Sequence, residues 1–147
     1  MTEQHEALRT DTLGIGDRVE LIFPARGDLV VLARLVASAI SARAGFDIEE
    51  LEDLRLAVGE LCLLALQGSD ARHGDVRLEF TVSEASLDIS CTLVGAAPDM
   101  ATQNGEGAET DQLSEQILAA LVDEHGREQA DGAVRTWLKK RRKGPLA

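Results

Sequence analysis

The sequence predicts an α/β fold: a two-layer sandwich with one mixed, mostly antiparallel sheet of four to five strands and three helices on one face. Three observations predict it. Several short segments alternate apolar and polar residues with a period of two, the mark of strands with one buried face. Three longer segments place apolar residues at helical spacing. Their order is strand, helix, helix, strand, strand, loop, helix, strand, which favours helices packed on one side of a single sheet.

Each element follows from its residues. Val19, Leu21 and Phe23 alternate with Arg18, Glu20 and Ile22, and Pro24 stops the strand. Asp28 is placed to cap a helix running to about Ala44, with Leu29, Leu32, Val36 and Ile40 on one face and Gly45 as its stop. Asp47 and Glu50 form a capping box for a second helix that runs to Gln67 and ends at Gly68. That helix carries Leu51, Leu54, Val58, Leu61 and Ala65 on one face and Leu56, Leu63 and Leu64 on the other. It is therefore expected to be buried on both sides, with the carboxylate of Glu60 inside the apolar half. Val76, Leu78, Phe80 and Val82, then Leu87, Ile89, Cys91 and Leu93, make two strands joined by a short hairpin link at 83–86. Residues 95–112, rich in Gly and polar residues, read as a long mobile loop. A third helix is expected from about Thr110 to His125, with Leu113, Ile117, Leu118 and Leu121 as its apolar side. The last strand presents Val134, Thr136 and Leu138 on one face and Arg135, Trp137 and Lys139 on the other.

Composition narrows the function classes. The chain has 147 residues, enough for one domain, and a formal net charge of −11. That charge repels phosphate backbones, so direct DNA binding is not expected. Aromatic residues are 3% with no Tyr, which removes stacking platforms for single strands. No apolar run reaches the roughly 18 residues of a membrane span, and the first residues lack a signal-peptide pattern. A cytoplasmic protein is expected. Cys62 and Cys91 fit no metal spacing and read as buried thiols, and His5, His73 and His125 are scattered, so no metal is expected. The run Lys139-Lys140-Arg141-Arg142-Lys143 reads as a solvated basic tail. The domain boundaries are a leader at 1–16, one domain at 17–140 and the tail at 141–147.

The string Asp53-Leu54-Arg55-Leu56-Ala57-Val58-Gly59-Glu60 resembles the conserved helix of bacterial anti-sigma factors of the switch-protein serine kinase type. These belong to the GHKL, or histidine-kinase-like, ATPase superfamily, and the order of elements fits over about residues 17–140. The resemblance implies ATP held between the conserved helix and a mobile lid. It also implies sequestration of a sigma factor, binding and phosphorylation of an anti-anti-sigma (STAS) protein, and a homodimer. In that family the Glu serves as general base or orients the attacking hydroxyl, and an Asn four residues later holds Mg²⁺. Positions i and i+4 share a helix face, so both reach the same phosphates.

Carried over by residue, Glu60 occupies the catalytic Glu position. Leu64 stands where the family has Asn, and leucine offers Mg²⁺ no oxygen. The adenine-reading Asp-x-Gly-x-Gly aligns with Leu93-Val94-Gly95-Ala96-Ala97, so Leu93 replaces the Asp, Ala97 replaces the second Gly and Gly95 is retained. The glycine turn before the last helix aligns with Asp111-Gln112-Leu113-Ser114-Glu115, which has no Gly and two carboxylates. The expectation is an anti-sigma-like binding module with no cofactor and no metal, its Glu60 vestigial and its nucleotide pocket filled by aliphatic side chains. Two alternatives stand beside it: an active serine kinase using Mg-ATP, and a pseudokinase sensor of another small ligand.

Overall fold

The computed structural model describes residues 12–67, 69–70, 74–95, 97–98, 108–130 and 133–143. Of the expected features, most of the leader, the Gly68 stop, Ala96, residues 99–107 of the loop and residues 144–147 lie outside these.

Strand β1 (Arg18–Pro24) leads through a short 3-10 turn at Gly27–Leu29 into α1 (Val30–Arg43). Asp28 does not cap that helix. Its carboxylate is taken by the Arg26 guanidinium at 2.7 Å, and the helix begins without a side-chain cap. Gly45, at φ 85°, ends α1 in a left-handed conformation that a Cβ would strain. Helix α2 (Ile48–Gln67) opens on the capping box. The Glu50 amide donates to Asp47 Oδ1 at 2.8 Å, and the Asp47 amide donates to Glu50 Oε1 at 3.0 Å. Then come β2 (Ser69–Asp70), β3 (Asp75–Val82), β4 (Ser86–Val94), β5 (Ala97–Pro98), α3 (Ala108–Leu121), β6 (Glu124–Ala130) and β7 (Ala133–Arg141).

The main sheet has five strands in the order β1-β3-β4-β7-β6. Every described pairing in it is antiparallel, so the expected mixed character is absent from the described strands. The inward residues Val76, Leu78, Phe80, Leu87, Ile89, Cys91, Thr136 and Leu138 are all nearly inaccessible. Leu54, Ala57, Val58, Leu61 and Cys62 of α2 join them in one aliphatic core. The buried layer is thus built by period-two strands meeting period-3.6 helices, as the patterning requires.

Three expectations change. Helix α3 stops at Leu121, and the residues assigned to its end begin β6, an edge strand whose sequence, Glu-His-Gly-Arg-Glu-Gln-Ala, has no apolar alternation. Its register comes from β7, with Ala130 opposite Ala133. Helix α2 is not buried all round, because Leu56 is exposed on its outer side while Leu64 is 3% accessible. Leu113 of α3, expected on an apolar side, is also exposed.

The basic run is not a solvated tail. Lys139, Lys140 and Arg141 are the end of β7. Lys140 Nζ donates to the Leu121 carbonyl at 2.7 Å and to Asp53 at 3.4 Å. Arg141 pairs with Glu124 at 2.9 Å. Arg142 is buried, and its guanidinium donates to the carbonyls of Ser83 and Glu84, each at 2.8 Å, while stacking 5.3 Å from the Phe46 ring centre. Burial lowers its basicity, partly offset by the Glu50 carboxylate. The Lys143 amide donates to Glu50 Oε2 at 2.9 Å, so the capping carboxylate of α2 also anchors the chain beyond β7.

Candidate functional site

Glu60 lies two-thirds along α2, half-buried, on the side facing α3. Its Oε2 accepts a hydrogen bond from Ser114 Oγ at 2.8 Å. Ser114 is buried, and this contact joins α2 to α3 across 54 residues of sequence. Arg55, on the same helix, pairs with Glu52 at 2.9 Å. The sequence contained Ser114 only as part of a segment lacking glycine, and nothing in its spacing marked it as a partner.

The other carried-over positions follow the substitutions. Leu64, one turn beyond Glu60, is in the aliphatic core, and so is Leu93 near the end of β4. Gly95 follows β4 with φ 80°, a left-handed conformation that explains why glycine is retained there irrespective of nucleotide. Ala97 is in β5, its backbone paired with Asp70 of β2. Residues 111–115 do not form a turn before the last helix. They lie inside α3, which begins at Ala108, so their amides lie within helical backbone and not in an open glycine turn.

A fit to Mg-ATP can be judged on these residues. An Mg²⁺ site needs oxygen ligands at near-octahedral geometry. Of the i and i+4 pair on α2, one member is a buried leucine and the other already accepts a hydrogen bond from Ser114. Among the described residues no group of three His, Cys, Asp or Glu side chains could hold a metal. Among the described residues, the i and i+4 pair on α2 does not offer Mg²⁺ a second oxygen ligand.

The family model of the histidine kinase-like ATPase domain matches residues 23–138. The chain belongs to the histidine kinase-like ATPase domain family. It is 33% identical over 123 residues to the serine-protein kinase RsbW of Bacillus pumilus, covering 74% of this chain and 76% of the relative. The RsbW of Bacillus subtilis is 32% identical over 121 residues with the same coverage, and one from Listeria monocytogenes is 34% identical over 94 residues, covering 61% of this chain and 59% of the relative. Among solved structures, the RsbU and RsbW domains of a Mycobacterium tuberculosis protein superpose with a TM-score of 0.63 at 15% identity. That match covers 88% of this chain and 33% of the other, and it supports the fold alone. Relatives named serine-protein kinases thus share this architecture.

Helices α1 and α2 carry a second feature on their outer side. Helix α1 holds only two charged residues, Arg34 and Arg43, and no carboxylate, in a chain with 26 acidic residues. Val31, Leu32 and Leu35 of α1 are exposed, Leu35 at 62%, and so is Leu56 of α2. Arg34 lies across the α2 backbone at Gly59. A Cβ at that position would stand 2.7 Å from Arg34 Nε. Among the described residues the Arg34 backbone carbonyl accepts from Ser38 Oγ at 3.0 Å, while the Arg34 guanidinium has neither a hydrogen bond nor an ion pair. It does exert a field on the buried Cys62 thiol. There the hydrogen bond with Cys91 and burial raise the pKa well above the usual thiol value, and Arg34 pulls it weakly down. A partly buried guanidinium thus shares α1 with the exposed Val31, Leu32 and Leu35. Sequence reasoning missed it, although a lone cation in an otherwise apolar helix was the available signal.

Proposed function

We propose that this chain is an anti-sigma-factor-like regulatory protein that binds a sigma factor, an anti-anti-sigma (STAS) protein, or each in turn, without holding Mg-ATP. The carrying observation is Leu64: the position that bears the Mg²⁺-holding Asn in the resembled family is a leucine sealed in the core. The occupied Glu60 carboxylate supports the same reading. Binding then rests on surfaces, and the outer side of α1 and α2 supplies one, with exposed leucines around the Arg34 guanidinium. The resemblance adds a cytoplasmic homodimer to this proposal. The kinase names of the relatives favour one second reading, an active serine kinase with a divergent pocket.

The test pairs two measurements. Mg-ATP and Mg-ADP are titrated calorimetrically into the purified chain, and purified sigma and STAS proteins are titrated with and without nucleotide. The expected result is no heat at millimolar nucleotide and a partner affinity that nucleotide does not alter. Gly59→Ala, which displaces the Arg34 guanidinium, is expected to weaken the partner about tenfold or more with the melting temperature unchanged. Saturable Mg-ATP binding below about 100 μM, with phosphate transfer to a STAS serine or threonine, would replace the proposal with the kinase reading.

A further inference from the structure

The outer side of α1 is apolar along its whole length. Val31, Leu35, Ala39 and Ala42 recur at helical spacing, so they form one stripe, and all of them are exposed. Leu32 stands beside them, also exposed. The charges on this helix, Arg34 and Arg43, are both cationic. An uncovered apolar stripe flanked by cations stands out on a chain of net charge −11.

The chain brings a segment of its own to this stripe. The Leu13 amide donates to the Arg43 carbonyl at 2.9 Å, and Leu13 packs against the core. Residue 13 is thereby fastened at the C-terminal end of α1, where the stripe finishes at Ala42. From Val31 to Ala42 the stripe runs about 16 Å. Residues 1–11 are long enough to span it as a helix, and reach about twice as far when extended. Their composition is complementary. Glu3, Glu6 and Asp11 outnumber Arg9, and Met1, Ala7 and Leu8 supply apolar side chains. Against α1 the carboxylates meet the Arg34 guanidinium, which lies beside Gly59 without an ion pair among the described residues. A short tether gives the segment an effective concentration of about millimolar at the helix, so weak contacts suffice to compete with a free partner.

We propose, on the reading that a partner uses this surface, that residues 1–11 fold back along α1 and cover the stripe, so that segment and partner compete for it. The protein then carries its own regulator, and binding of a partner requires the leader to be displaced.

The test uses the full chain. Cys62 and Cys91 are both buried, so a nitroxide coupled to Thr2→Cys marks one site. The expected result is strong broadening of the Val31, Leu32 and Leu35 NMR signals, and none at Thr92 and Glu128 on the far face of the sheet. Charge reversal of the leader, Glu3→Lys with Glu6→Lys, should abolish the broadening at Leu35. It should also tighten binding of a purified sigma or STAS partner about tenfold, the factor for a surface covered roughly nine-tenths of the time. No broadening at Leu35 would overturn the contact. So would broadening seen only between molecules in a mixed sample, which would give the stripe to a second copy of this chain. Broadening with a partner affinity that charge reversal leaves unchanged would overturn the competition. Broadening with no partner binding in either form would establish the leader contact, while the regulatory role would fall with the partner reading alone.

Discussion

Restoring the residue that the resembled family uses at position 64 tests whether the pocket is closed or merely altered. Leu64→Asn puts an amide where a leucine is 3% accessible. Loss of the buried aliphatic side chain costs about 2 kcal/mol. An amide left without a partner in that core adds roughly 1–3 kcal/mol. The sum is about 3–5 kcal/mol, which for a domain of this size lowers the melting temperature by roughly 6–20 °C. The assay is thermal and urea unfolding of both proteins, each with and without millimolar Mg-ATP. Nucleotide should not rescue the variant, because Leu93 is buried in the core and Ser114 still holds Glu60. A variant as stable as the parent, or one stabilised by Mg-ATP, would refute the reasoning, since either requires an open, polar site around position 64.

Two further predictions concern the edges of the fold. Arg142→Ala removes two hydrogen bonds to the β3–β4 turn and the stack on Phe46, and should cost about 2–4 kcal/mol in urea unfolding. Lys143→Ala should leave the urea unfolding midpoint unchanged, because its ion pair is exposed and its anchoring amide remains. The Cys62 thiol is raised above its ordinary value near 9.0 by Cys91 and by burial. The stability this contributes is therefore complete below pH 9.0 and lost as pH rises through the higher folded value, so the melting temperature should fall in alkali, and less steeply in Cys62→Ala.

The sequence carried the fold because strands β1, β3, β4 and β7 bury one face, and that burial writes a period-two pattern into Val76–Val82 and Leu87–Leu93. Strand β6 was illegible for the complementary reason. It is an edge strand with little apolar surface, and its pairing with β7 specifies it more than its composition does. The Asp131-Gly132 dipeptide between them was the available hairpin signal. The basic run misled because charge predicts solvation unless the backbone and the carboxylates around it are known. Here Glu50, Asp53, Asp88 and Glu124, distant in sequence, all converge on it. At the candidate site the departures from the resembled motif at positions 64 and 93 could be read from residue type alone. The Glu60–Ser114 contact could not, because it depends on how α3 docks on α2.

The anchoring of Arg142 and Lys143 has a consequence for how the molecule opens. It links the α1–α2 elbow at Phe46–Glu50, the β3–β4 turn at Ser83–Ala85 and the end of β7, segments far apart along the chain. Peeling β7 from the sheet withdraws the Arg142 guanidinium from the turn and the Lys143 amide from Glu50 in the same event, so none of the three can fray alone. Amide hydrogen exchange should accordingly find Glu50, Ser83 and Arg142 opening as one unit, with a shared free energy well above that of an ordinary surface turn.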